Sequence, residues 1–136
     1  MALRPPARVG EKPALAYEVR RSAPYVPTPL ALGPLVFLWS DAGVVTCVRA
    51  ETGEAVWQER VGGNFFSSPV CADGKLINVS TSGEVVVLAA GDKYELLGRT
   101  PLGEMSHATP AIALGRLFIR TLQHVVCVKG GAGVKP

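Results

Sequence analysis

The chain has 136 residues, 48% of them hydrophobic and 18% charged, which suits one globular domain and excludes a chain disordered throughout. Its net charge of +3 arises in the first 21 residues, with five Lys/Arg against two Asp/Glu; the other 115 hold nine of each. The balanced part offers no basic stripe for nucleic acid, and its longest uncharged apolar stretch, residues 30–39, is far shorter than the roughly 20 residues of a membrane helix.

Residues 1–12 carry adjacent Pro5 and Pro6 and scattered arginines without periodicity, and read as a flexible leader or linker outside the fold. No apolar run follows this charged start, so no signal peptide is expected in it. From Pro13 onward apolar residues alternate or run in fours and fives between Gly, Pro, Asp and Ser clusters. This is an all-β pattern, with turn signals such as Asp41-Ala42-Gly43, Asp73-Gly74 and Ser82-Gly83 about every ten residues.

The pattern repeats. Thr28-Pro29, Ser68-Pro69 and Thr109-Pro110 lie forty and forty-one residues apart, and each precedes a Gly-x-Leu at Gly33, Gly74 and Gly115. A β-branched run follows each, at 44–48, 84–88 and 124–128. In the central unit the strands are expected at 67–72, 76–81, 84–89 and 94–100. Four short antiparallel strands per forty residues describe a blade of a β-propeller. The repeats are expected over 13–130, at approximately 13–50, 51–90 and 91–130, with a flexible tail at 131–136. Residues 15–20 align with 55–60 and 94–99, so they read as a fourth-type strand without a predecessor. This phasing lets each blade borrow its outer strand from earlier sequence.

The sharpest local signal runs from Cys47 through Thr52 and Gly53 to Trp57. Thr52-Gly53 closes a tight turn because glycine accepts positive φ, and Trp57 then brings a large ring to bury in the next strand. This stretch resembles the tryptophan-docking motif of pyrroloquinoline-quinone-type propellers, Ala-x-Asp-x-x-Thr-Gly-x-x-x-Trp. Thr52, Gly53 and Trp57 match it, Cys47 and Arg49 replace the alanine and aspartate, and Tyr17 and Leu97 stand where the other units would carry the tryptophan.

The resemblance covers Pro13 to Lys129 and implies one of two kinds of protein. Quinoprotein alcohol and sugar dehydrogenases carry the quinone and calcium, whereas the propeller lipoproteins of outer-membrane assembly and similar scaffolds carry neither. The dehydrogenases imply a stacking tryptophan, a calcium-binding Glu/Asn/Asp set and in many a Cys-Cys pair. None of these maps onto this sequence. A non-catalytic module without cofactor, binding a protein partner or further blades, is therefore the expected function. The alternative is part of a quinone- and calcium-dependent dehydrogenase whose catalytic residues lie outside this chain. The families imply a periplasmic or extracytoplasmic location.

The remaining candidates are modest. Tyr25, Asn64, Ser67 and His107 belong to loops leading into first strands and are expected on one rim as possible partner contacts. Cys47, Cys71 and Cys127 read as small buried hydrophobes, with Cys47 and Cys127 at equivalent places too far apart for a disulfide. Two histidines and three cysteines give no metal set. Asn78-Val79-Ser80 fits a glycosylation acceptor only by chance, inside a strand. The Phe65-Phe66 pair after Gly62-Gly63 is expected to pack between blades, with an exposed recognition patch as the alternative.

Three blades are too few for a ring, since propellers close with about four to eight. An open arc is expected to expose an apolar face on the order of 500 Å2 at each end. Either the chain is a piece of a longer propeller, or copies associate head to tail. Two copies would give six blades, with residues 15–20 stitching the seam.

Overall fold

A computed structural model describes residues 1–130 and contains strands without a helix among them. The expected tail at 131–136 lies outside the described residues. Three meandering antiparallel sheets follow one another. The first comprises β3 (Leu30–Leu32), β4 (Leu35–Trp39), β5 (Val44–Arg49) and β6 (Ala55–Arg60). The second comprises β7 (Val70–Ala72), β8 (Lys75–Val79), β9 (Glu84–Ala89) and β10 (Leu96–Pro101). The third has β11 (Ala111–Ala113), β12 (Arg116–Arg120) and β13 (Val125–Lys129). These are propeller blades, as the repeat predicts, and they leave the ring open.

Each fourth strand pairs with the third strand just before it, β6 with β5 and β10 with β9. The expectation of an outer strand borrowed from earlier sequence is corrected on that point, because a short third-to-fourth turn brings the strand back onto its own sheet. The N-terminal residues also differ from expectation. β1 (Ala2–Arg4) pairs with β2 (Ala14–Tyr17), so the strand expected at 15–20 has a partner, and it comes from the supposed leader.

The turns follow from their residues. Asp73-Gly74 and Leu114-Gly115 place both central residues at positive φ, 48° and 67° in the first pair, 51° and 66° in the second. That is the two-residue hairpin turn whose twist suits β-strands. Past each turn, alternate residues go to opposite faces, so a blade flanked on both sides buries both of its faces.

The larger core fills the gap between the first two blades. Phe37, Trp39, Val45 and Cys47 of the first face Leu76, Val86 and Leu88 of the second, with Val61 and Phe65 closing the gap. The smaller core, Val79 and Val85 against Ile119, joins the second blade to the third. The sequence expectation put an apolar face at each end, and only one is bare. Val125 of the third blade is 67% exposed, whereas Val48 of the first is 1% exposed under the N-terminal segment.

Candidate interaction rim

The docking motif takes up the geometry its spacing implies. Trp57 Nε1–H donates to the Gly91 carbonyl at 3.0 Å, and its ring meets Tyr94 edge-on with centroids 5.6 Å apart. A first-blade side chain thus clamps the third-to-fourth turn of the second blade. Arg99 adds a second clamp, from the second blade's outer strand to the Val61 carbonyl and the Glu84 carboxylate. Tyr17 repeats the docking one unit earlier: a Cβ on Gly53, which sits at φ 73°, would lie 2.3 Å from its ring. Leu97 is a correction. Trp57 opposes Cys47, but it is Gly98 that opposes Val87, because the third-to-fourth connection of the second blade is one residue longer.

The rim forms where second strands turn into third strands and loops lead into the next first strand. Backbone bonds weld these loops across blades. Phe65 N–H donates to the Asp41 carbonyl at 2.8 Å, Thr81 N–H to Asn64 at 2.7 Å, and Leu122 N–H to Met105 at 3.0 Å. The Asp41 carboxylate accepts the amides of Tyr25 and Val26 at 2.7 and 3.0 Å. Thus, Asp41 is a fixed acceptor rather than a free base.

On this frame an open cleft of about 440 Å3 is lined by Asp41, Asn64, Phe66, Thr81, Met105 and His107, with Ala42 at its side. Phe66 and His107 meet edge to face at 5.3 Å. Phe66 and Met105 are each 48% exposed and Tyr25 is 94% exposed, so the rim shows apolar and aromatic surface to solvent. Phe65 is fully buried beside Trp39, with centroids 5.1 Å apart; the two phenylalanines therefore divide between core and rim.

Of the four expected rim residues, Asn64 and His107 come together in the cleft, and Tyr25 stands one blade away. Ser67 is corrected: it is fully buried, with Oγ 2.6 Å from Asn78 Oδ1 and 2.5 Å from the Val79 carbonyl. Its hydroxyl ties two strand ends together and cannot meet a partner. Met105 and Asp41 were missed by sequence reasoning, although their positions one repeat from Asn64 and Thr81 were available in the period.

The other candidates resolve individually. Asn78 is fully buried, which removes it as a glycan acceptor in the folded chain. Cys47 is buried, and burial pushes its thiol up to about 11; Cys71 is half-buried and also raised by burial. Cys127 is exposed, which corrects its expected place in the core. Among the described residues no three His, Cys, Asp or Glu side chains converge as a metal site. A quinone needs a tryptophan face, and neither tryptophan has one to give: Trp39 is 0% exposed and Trp57 is committed to Tyr94 and Gly91. The residues present therefore do not fit the quinone.

Four-stranded meanders stacked through a tryptophan-docking turn define the class: these are β-propeller blades of the pyrroloquinoline-quinone type. Within that class the chain belongs to the family of the outer membrane protein assembly factor BamB, which matches residues 19–133. It is 29% identical over 104 residues to outer membrane protein assembly factor BamB of Burkholderia pseudomallei, covering 76% of this chain and 27% of that protein. The crystal structure of BamB from Moraxella catarrhalis superposes on 73% of the chain and 29% of that structure, with a TM-score of 0.58 and 20% identity. Quinohemoprotein alcohol dehydrogenase from Comamonas testosteroni superposes on 72% of this chain and 17% of its own, with a TM-score of 0.59 and 16% identity. At those identities the two structures speak for the fold alone. The chain spans about a quarter of the length of the curated relative it matches. Among the described residues no helix is long and apolar enough to cross a membrane.

Proposed function

We propose that the chain is a non-catalytic propeller module that presents its rim to a protein partner in outer-membrane assembly. The observation that carries this reading is the cleft around Phe66, Met105 and His107, an apolar surface held on a rim whose backbone is bonded from blade to blade. A pre-ordered surface loses little entropy on binding, and aromatic residues at its centre are the usual anchors. Membership of the family of an outer membrane protein assembly factor supports an extracytoplasmic setting. Tyr25, Asn64 and His107 are the proposed contacts beside Phe66, and Thr52, Gly53 and Trp57 remain structural.

The module also associates with further blades, because the outer face of the third blade is left bare. Copies of the chain joined head to tail would cover it.

A photo-crosslinking residue placed at Phe66 should capture outer-membrane assembly proteins in cells, while the same residue at the exposed Lys93 should not. Equal capture at both positions would sink the rim reading. Reduction of an artificial acceptor after adding quinone and calcium would instead favour the dehydrogenase reading.

A further inference from the structure

The rim carries a carboxylate whose charge no cation of the described residues meets. Asp41 is half-buried, and it takes part in none of the ion pairs among those residues. The neighbouring acids are already engaged, Glu84 by Arg99 and Glu104 by Thr121 and His124. Arg60, at the side of the cleft, donates to the Ala42 carbonyl at 3.1 Å rather than to this carboxylate. Among the described residues no lysine or arginine lines the cleft itself. The acid also belongs to this junction and not to the repeat. Ser40, Ser80 and Thr121 close equivalent turns with amide-to-carbonyl bonds of 2.8, 2.9 and 2.9 Å, and the residue after each is Asp41, Thr81 and Leu122.

The bonds to this carboxylate decide which cation suits it. Each oxygen accepts one amide, Oδ2 from Tyr25 and Oδ1 from Val26, so the plane of the group is fixed. A carboxylate oxygen has two lone pairs, which leaves one acceptor position on each and matches a planar fork of two N–H donors. Phe66 is brought beside the same turn because the Phe65 amide donates to the Asp41 carbonyl at 2.8 Å. Its ring and the Met105 thioether are each 48% exposed in the cleft, apolar surface along which a long side chain can lie. A guanidinium stacks on such a ring, whereas an ammonium is a hydrated point charge with no plane to match.

We propose that the cleft is a socket for an arginine side chain presented by the protein partner. The guanidinium forks onto the Asp41 carboxylate, and its plane and stem rest on Phe66 and Met105. His107, edge to face with Phe66 at 5.3 Å, braces the ring. This rests on the rim reading above and names the group that the rim takes.

Two small probes test the socket on the full chain: N-acetyl-arginine amide and its neutral isostere N-acetyl-citrulline amide. With the methionine methyls labelled, the Met105 signal reports on the cleft. The arginine probe should shift it saturably in the millimolar range. The citrulline probe, and N-acetyl-lysine amide, should need roughly tenfold more, the factor expected of a charge-assisted bidentate bond. Asp41→Asn, which keeps an oxygen for the loop amides and removes the charge, should weaken the arginine probe by a similar factor. Equal responses to arginine and citrulline, or no saturable shift, overturn the socket whether or not that variant folds. The photo-crosslink at Phe66 separates the two ideas. Capture at Phe66 without arginine selectivity overturns the socket and leaves the rim reading standing. Arginine selectivity without capture supports the socket and overturns the claim that an assembly partner fills it.

Discussion

The two blade interfaces are built from the same positions and are unequal. Between the first and second blades, Phe37, Trp39 and Phe65 fill the gap and Trp57 clamps the next turn. Between the second and third, the same register positions are Ile77 and Val79, Ile119 is the largest buried side chain, and Gly98 stands opposite Val87 where a docking ring would come. Backbone hydrogen bonding is alike in both, so the sheets do not distinguish them. Ring volume does. The contrast shows how a degenerate repeat stays foldable: one interface with full aromatic packing orders two blades, and the third is held on that platform by aliphatic contacts and polar clasps.

The largest expected effect tests that inequality directly. Phe37→Ala removes a ring with 0% exposure from the first interface and should cost about 3–5 kcal/mol. Ile77→Ala, at the matching position of the second blade, is half-buried and should cost about 2 kcal/mol. Urea unfolding of both variants measures the difference. Equal costs would break the comparison, because they would mean that the aliphatic interface is packed as tightly as the aromatic one.

A gain of stability should appear at the next level. The second blade turns through Asp73-Gly74 and the third through Leu114-Gly115, both with positive φ at the first residue. Aspartate tolerates that conformation by bonding its own backbone, whereas leucine crowds its Cβ against the following carbonyl. Leu114 is also 97% exposed and buries nothing in return. Leu114→Asn should therefore stabilise the chain by about 1 kcal/mol. A lower unfolding midpoint would show that Leu114 makes a contact that outweighs its strain.

These residues also explain how far the sequence could be read. Period, blade and docking turn were legible because proline, glycine and β-branched runs encode backbone geometry locally. Gly98 was misread as Leu97 because one extra residue in a turn changes register without changing the apolar pattern. β1 was missed because three residues give no periodicity to detect. Ser67 was placed on the rim because a serine near a loop looks the same whether its hydroxyl meets water or a buried Asn78. The rim itself was legible only as a set of loops; that Phe66, Met105 and His107 converge there depends on how blades stack.

The smallest expected effect concerns the polar clasp that stands in for aromatic packing at the second interface. Glu104 leads from the second blade into the third and accepts the Thr121 hydroxyl, with His124 Nδ1 3.2 Å away; one repeat earlier its place is held by Gly63, which has no side chain to titrate. The Thr121 hydroxyl bond holds the Glu104 carboxyl below its ordinary value of 4.5, burial opposes this, and the bond from His124 adds to it. A carboxylate that binds its proton more weakly when folded contributes stability that is complete above the unfolded value and fades as pH falls through the folded one. Glu104→Gln removes that dependence. The gap in urea midpoint between the parent chain and Glu104→Gln should hold steady at neutral pH and shrink as pH falls below 4.5. A gap that stays constant down to the acid transition would mean that Glu104 holds the two blades by shape rather than by charge, and the two interfaces would then differ only in the size of their side chains.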